Sequence, residues 1–325
     1  GAFGAALLAR DRYHGQQSTM LPLEEIEQLT YKTSAARCQG CQNHCMLTVS
    51  VFPGGRRHVS GNRCEKALRG ESAAKPGENI FAYKRERMFA YPPLESENAP
   101  RGEIGIPRVL NMYENYPFWA TFFRDLGFRV ILSPFSTRAI YELGMESIPS
   151  ESECYPAKLA HGHAQWLIDH GVKTIFHPCV FYEHQEVPGA QNHFNCPIVV
   201  SYPENIKNNV EAVTDGSVRY LHPFLAFTNE KVASDRLVQF CKEVWNIPEK
   251  ETRHAAHLAW EEQRRAKADV RAAGAKALAD MEKNGGSGIV LAGRPYHVDP
   301  EINHGIPELI AAYGLTVLTE DCLPI

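Results

Sequence analysis

Four cysteines in the first quarter of the chain have the spacing of a metal site. Cys38, Cys41 and Cys45 lie close together, and Cys64 follows Gly61 by three positions. Four thiolates can surround one ion tetrahedrally, as in zinc ribbons, or they can hold an iron-sulfur cluster. We therefore predict that these four cysteines bind either zinc or a [4Fe-4S] cluster.

The segment between Cys45 and Cys64 predicts a hairpin that would bring these two cysteines together. The apolar run from Met46 to Phe52 is typical of a strand, and Pro53-Gly54-Gly55 is a turn sequence. The cysteine spacing resembles the small cluster-binding module at the start of molybdopterin oxidoreductases, which favours iron-sulfur slightly over zinc. Thiol redox chemistry at the first two cysteines is a third alternative, but the accompanying Cys45 and Cys64 argue for ligation.

Composition limits the classes of protein to consider. The 325 residues are 44% hydrophobic and 22% charged, which is typical of a folded protein with more than one domain. A net charge of -4 provides no basic surface for nucleic acid. We find neither an apolar run long enough for a bilayer nor a signal-peptide pattern, so we predict a cytoplasmic protein without a membrane partner. Nine cysteines, an odd number, do not suggest a secreted disulfide framework.

The pattern along the chain predicts an α/β fold with doubly wound, Rossmann-like subdomains, preceded by a small cysteine-rich β-hairpin module. We expect the last helix of another domain at residues 1–20, the cysteine module at 21–90, a first Rossmann-like subdomain at 101–233, connecting helices at 234–285, and the start of a second such subdomain at 286–325. On this interpretation the sequence is truncated at both ends.

The prediction of Rossmann-like subdomains depends on an alternation of expected strands and helices. The expected strands are Glu103–Pro107, Arg129–Ser133, Thr174–Phe176, Ile198–Ser201, Ile289–Leu291 and Leu315–Leu318. The expected helices are Tyr116–Leu126, Ala157–His170 and Ile306–Tyr313, together with long connecting helices within Ser234–Lys283. The charged face of Glu261 to Lys283 is expected to be solvated rather than to form a binding surface.

Three further cysteines lie at sequence positions where α/β proteins often bind ligands. Cys179 and Cys322 each follow an expected strand, and ligands of open parallel sheets bind beyond the carboxyl ends of the strands. Cys154 would open a helix, whose amino end favours a thiolate. We expect these three to face one pocket. Isolated cysteines are more often small buried hydrophobes, which is our interpretation of Cys241, while Cys196 is left undecided.

Polar residues after the expected strands are candidate catalytic groups. Glu114 and Asn115 follow the first strand, and Arg294 and His297 follow Ile289–Leu291. Helix capping would explain the first two equally well, and a turn fixed by proline would explain the second two. The sequence contains no GxxxxGK[ST] phosphate loop, so ATP hydrolysis would belong to another domain or chain.

Four segments resemble a known family. They are Ile106–Trp119, Ser152–Pro156, Gly293–His297 and Thr319–Cys322. They are similar to the large proteins of anaerobes in which an activator ATPase of the BadF/BadG type is fused to a 2-hydroxyacyl-CoA dehydratase-like region. The resemblance implies a [4Fe-4S] or double-cubane cluster, and its cysteine pattern matches Cys154, Cys179 and Cys322.

The resemblance also implies a function. It suggests the iron-sulfur component of an ATP-dependent, low-potential electron-transfer system, a reductase or dehydratase acting on a CoA thioester or another small molecule. The partner would be an activator ATPase domain, in the same full-length chain or in a separate protein, and we further predict a dimer. The alternative is a non-catalytic, zinc-binding scaffold or cluster carrier.

Overall fold

Residues 2–15, 21–39, 44–62, 76–187 and 189–323 are described by the computed structural model. Their contacts separate them into two units, one formed by the described residues up to 62 and the other by those from 76 onward. Across these ranges, no helix combines the length and the apolar character needed to cross a membrane.

The first unit contains a three-stranded antiparallel sheet. Its helices are α1 (Ala2–Asp11) and α2 (Leu23–Glu27), and its strands β1 (Lys32–Arg37), β2 (Met46–Val51) and β3 (Arg57–Ser60) pair in the order β1-β2-β3. The predicted strand after Cys45 and the turn at Pro53–Gly55 are confirmed. Cys41 and Cys64 lie outside the described residues, so the four-cysteine module stays a prediction.

A parallel four-stranded sheet organises the second unit. Strands β4 (Glu103–Ile106), β5 (Arg129–Leu132), β6 (Thr174–Phe176) and β8 (Arg219–Leu221) are arranged in the order β5-β4-β6-β8, and all three pairings are parallel. The order in which the strands are added reverses at β4, because β5 lies on one side of β4 whereas β6 and β8 lie on the other. This α/β arrangement is consistent with the predicted Rossmann-like fold.

Helices connect and cover these strands. They are α3 (Ile80–Met88), α4 (Met112–Asp125), α5 (Arg138–Leu143), α6 (Tyr155–Asp169), α7 (Pro197–Asn209), α8 (Glu211–Thr214), α9 (Glu230–Trp245) and α10 (Glu249–Lys283). A second parallel pair is formed by β7 (Cys179–Tyr182) and β9 (Phe224–Ala226).

Alternation along β4 shows why helices lie on both faces of the sheet. Ile104 and Ile106 are fully buried on the face that carries the aromatic residues of α4. Gly105 points to the other face, where a Cβ atom would lie 2.7 Å from a methyl carbon of Val172. Glycine therefore lets the segment after α6 approach the strand closely.

The C-terminal part forms a further parallel pair, β10 (Gly288–Leu291) with β11 (Thr316–Thr319), accompanied by α11 (Pro300–Asn303) and α12 (Ile306–Ala312). Helix α10 packs against α4 and also against residues 320–322, which form a short 3₁₀ helix after β11. One long helix thus contacts both parallel layers.

One expected strand is wrong. Residues 198–201 belong to helix α7, not to a strand. The run Ile198-Val199-Val200 has high β propensity, but Pro197 starts the helix, and the buried residues Val199, Tyr202 and Ile206 repeat with helical spacing. The segments of β7, β8 and β9 were not predicted, because β7 follows β6 and β9 follows β8 after only two residues, without the intervening helix that marks the other strands.

Candidate functional site

A crevice lies at the carboxyl ends of β10 and β11, beside helix α10. It consists of a cavity of about 400 Å³, lined by Lys84, Glu114, Glu186, Lys267, Arg271 and Asp321 among others, and a smaller one of about 260 Å³ on the side of Arg294 and His297. Lys84 and Glu320 line both cavities, so the two adjoin. This is the edge of a parallel sheet at which α/β proteins bind their ligands.

Lys84 is buried at the junction of the two cavities and forms an ion pair with the partly exposed Asp321. Lys84 is only 6% exposed, and its Nζ donates to Oδ2 of Asp321 over 2.6 Å. Burial opposes ionisation of Asp321, but the Lys84 ammonium outweighs it and lowers the pKa of this carboxyl below its usual value. The crevice therefore contains a fixed positive and a fixed negative charge side by side.

A second charged group comes from α10 and faces the larger cavity. Nζ of Lys267 lies 3.4 Å from Oε1 of Glu114 and also contacts Glu186, while Nη2 of Arg271 lies 2.8 Å from the other oxygen of Glu186. Burial favours the neutral amine of Lys267, but the two carboxylates outweigh it and raise its pKa. Lys267 is therefore a permanent cation at neutral pH.

Buried polar atoms of the crevice residues are incompletely satisfied within the described part of the chain. Nε of Arg271 has no hydrogen-bond partner there, and Oδ1 of Asp321 has only the Thr319 hydroxyl nearby, in a contact that falls short of hydrogen-bond geometry. Buried polar atoms are almost always satisfied by protein, water or ligand. Arg271 and Asp321 line the same cavity and together offer one donor and one acceptor to a bound molecule.

Glu183 directly follows β7 and lies near the Glu114 carboxylate. Its Oε1 accepts from Nδ2 of Asn195 over 2.8 Å and from Nδ2 of Asn111 over 2.9 Å, and Asn115 donates over 3.2 Å. Loss of hydration, reinforced by the Glu114 carboxylate, raises the pKa of Glu183 to about 8. This carboxyl group therefore titrates near neutral pH.

A buried hydrogen-bond chain links the two parallel layers. Tyr113 donates to Oδ2 of Asp299 over 2.5 Å, and the Ser136 hydroxyl donates to the same oxygen. Because that hydroxyl proton is used, Oγ of Ser136 must accept from Nε2 of His163 at 2.9 Å, which leaves Nδ1 to accept from Ser133 over 2.8 Å. Burial lowers the pKa of His163 to about 3, so the ring is neutral.

Three of the four candidate catalytic residues line the crevice, and the fourth, Asn115, does not. Glu114 lines the larger cavity, and Arg294 and His297 line the smaller one. Asn115 is buried and holds Glu183 instead of facing the cavity. Glu114 and Asn115 belong to the first turns of α4, where the acidic side chain of Glu114 also suits the positive end of the helix.

The cysteines implied by the family resemblance have three different surroundings. Cys154 is exposed at the N-cap of α6. Cys179 is buried beside Glu204 and His222, and burial raises its pKa to about 12. Cys322 is also buried, and its Sγ donates to the carbonyl oxygen of Thr319 over 3.0 Å. None of the three lines the crevice cavities. A cluster shared by these cysteines stays a prediction.

In the first unit, two of the four cysteines of the predicted metal site are described. The backbone N–H of Cys38 donates to the carbonyl oxygen of Cys45 over 2.9 Å, so the ends of β1 and β2 place these residues opposite each other. Metal binding there stays a prediction.

Of the crevice cations, Arg294 was expected from the sequence, but Lys84, Lys267 and Arg271 were not. The charged face of α10 was expected to be solvated, but Lys267 and Arg271 line the larger cavity. Lys84 was not considered, because it lies before the first predicted strand of the α/β region. The one available signal was the spacing of the two α10 cations, which are four residues apart and therefore share a helix face.

Comparison with known proteins assigns the chain to a family. Residues 103–323 match the family described as CoA enzyme activase uncharacterised domain (DUF2229), and the chain belongs to this family. The matched region runs from β4 to the residues after β11 and includes every crevice residue named above except Lys84. No curated protein and no solved structure matches the chain.

Proposed function

We propose that this chain is the small-molecule-binding component of a CoA enzyme activase system and that a CoA thioester binds in the crevice. The observation that carries this proposal is the cavity between α10 and the carboxyl end of β11, with its fixed charges and its unsatisfied donor and acceptor. Membership of the CoA enzyme activase family supports the choice of ligand class.

The polar atoms of the cavity suit a 2-hydroxyacyl thioester. Nε of Arg271 has a hydrogen to donate, and a thioester carbonyl oxygen would accept it. Oδ1 of Asp321 has a lone pair to offer, and the substrate hydroxyl would donate to it. Lys84 holds Asp321 ionised and oriented, so this acceptor is ready before the ligand arrives.

We further propose that the chain works as an iron-sulfur component that receives electrons from an activator ATPase, in the same full-length protein or in a separate one. An iron-sulfur cluster would supply the low-potential electron. The residues of this chain would bind the thioester, orient its carbonyl and hydroxyl groups, and exclude water. A zinc-binding scaffold is the alternative, and it predicts a colourless protein that does not bind thioesters.

Calorimetric titration with a 2-hydroxyacyl-CoA tests the ligand. The Arg271→Gln variant loses a charged hydrogen bond, which is worth about 1.5–3 kcal/mol, so we expect affinity to fall about 10- to 150-fold. Arg265→Gln is the matched control, because Arg265 lies on the same helix but lines neither cavity. Equal affinities of the two variants, or no binding by the unmodified chain, would contradict the proposal.

Metal analysis tests the electron-transfer part. After anaerobic purification we expect iron and acid-labile sulfide in the chain beyond what the cysteines at 38, 41, 45 and 64 can hold. Zinc alone, without iron or sulfide, would support the scaffold instead.

A further inference from the structure

We infer that Cys179, Glu204 and His222 form a binding site for one divalent cation of the zinc type, separate from the crevice. The inference is independent of the proposed thioester site, because none of these residues lines either crevice cavity, and it conflicts only with a cluster that uses Cys179.

Three elements bring the ligand atoms together. Cys179 begins β7, Glu204 lies on α7, and His222 directly follows β8. The sulfur, a carboxylate oxygen and an imidazole nitrogen all lie within 4.8 Å of one another. Zinc bonds of about 2.0–2.3 Å in a tetrahedron place ligand atoms roughly 3.3–3.8 Å apart. Small side-chain movements therefore suffice to close the three atoms around an ion.

The imidazole and the carboxylate are already held together. Nδ1 of His222 lies 2.7 Å from Oε1 of Glu204, so the two atoms pair directly without an ion. A cation that binds both atoms would replace this contact and hold them at the spacing of two zinc ligands. The Tyr220 ring stacks on the His222 ring, with centroids 5.7 Å apart, and limits its rotation.

The site is closed on one side and accessible on the other. Cys179 is fully buried, while the side chains of Glu204 and His222 are 34% and 21% exposed. An ion can therefore enter past these two residues and meet the sulfur at the bottom of the site. One sulfur, one nitrogen and one oxygen ligand suit zinc, and three protein ligands leave the fourth tetrahedral position for water.

This assignment competes with the cluster implied by the family resemblance. Cys179 cannot serve a mononuclear ion and, at the same time, a cluster shared with Cys154 and Cys322. The two assignments make different predictions about Glu204 and His222, which are ligands in the first and have no role in the second.

Zinc titration of the full chain tests the inference. Metal would be removed with a chelator under anaerobic, reducing conditions, Zn²⁺ would be added back, and bound zinc per chain would be counted by mass spectrometry. We expect Cys179→Ser, Glu204→Gln and His222→Gln each to bind one zinc fewer than the unmodified chain. Glu211→Gln, an exposed glutamate on the neighbouring helix α8, is the control and should bind as the unmodified chain does.

X-ray absorption adds a readout of the ligands themselves. In a variant with serine at positions 38, 41, 45 and 64, the remaining zinc should show one sulfur and a majority of nitrogen or oxygen neighbours. Glu204 and His222 are partly exposed, so their variants should fold even if the Cys179 variant does not; circular dichroism checks this. Unchanged zinc content in folded Glu204→Gln and His222→Gln variants would overturn the inference. So would iron and sulfide that are lost with Cys179→Ser but retained in those two variants.

Discussion

Gly274 is a point of close contact between α10 and the 3₁₀ helix at residues 320–322, and replacing it with alanine should push these two elements apart. A Cβ atom at this position would lie 2.3 Å from the backbone oxygen of Cys322 and 2.7 Å from its Sγ. Both distances are below any normal contact, and the backbone oxygen has no rotamer through which to withdraw. Either α10 or the 3₁₀ helix at residues 320–322 must therefore move.

Two opposing effects determine how much the Gly274→Ala substitution changes the free energy of unfolding. Overpacking a well-filled core costs about 1–3 kcal/mol, and alanine in a helix interior gains about 1 kcal/mol over glycine. We therefore expect Gly274→Ala to lower the free energy of unfolding by up to about 2 kcal/mol. Because residues 320–322 carry Glu320 and Asp321 of the crevice, we also expect weaker thioester binding.

Thermal unfolding, monitored by circular dichroism, measures the change in stability of the Gly274→Ala variant. Ala275→Gly is the matched control, because Ala275 is the exposed neighbour on the same helix and reports helix propensity alone. If Gly274→Ala were more stable than the unmodified chain by the propensity gain, the close packing of α10 on Cys322 would be refuted.

Two further predictions concern the buried polar groups. The pKa of Glu183 is raised from 4.5 to about 8, so folding favours its protonated form, and this contribution to stability is lost as pH rises between these values. Glu183→Gln should remove that pH dependence, which urea unfolding at pH 5, 7 and 9 measures; an unchanged pH profile would contradict it. Tyr113→Phe removes a hydrogen bond to the Asp299 carboxylate and should destabilise the chain by about 1.5–3 kcal/mol in the same assay, while Tyr141→Phe, at a partly exposed tyrosine, should have little effect. Equal stabilities of the two tyrosine variants would argue against the Asp299 network.

Sequence patterns identified the parallel layers because their strands are short apolar runs between helices with clear periodicity. Strands β4, β5, β6, β10 and β11 were each expected within a few residues of their observed positions. The same reasoning failed for α7, where local β propensity opposed the burial pattern that tertiary packing imposes. Local preference alone does not decide between such alternatives.

The crevice was foreseeable only in part. Glu114, Arg294 and His297 follow strands, so the rule for open parallel sheets places them correctly at its edge. Lys267 and Arg271 come from a long charged helix whose sequence does not show which face meets the sheet. In the same way, nothing in the sequence connects Cys179 with Glu204 and His222, because only the packing of α7 and the end of β8 brings them together.

A crystal structure of the chain with a bound 2-hydroxyacyl-CoA tests the central claim most directly. Our account predicts electron density for the acyl group in the crevice, with its carbonyl oxygen near Nε of Arg271 and its hydroxyl group near Oδ1 of Asp321. Density for the acyl group elsewhere on the protein, with the crevice filled only by water, would contradict the account.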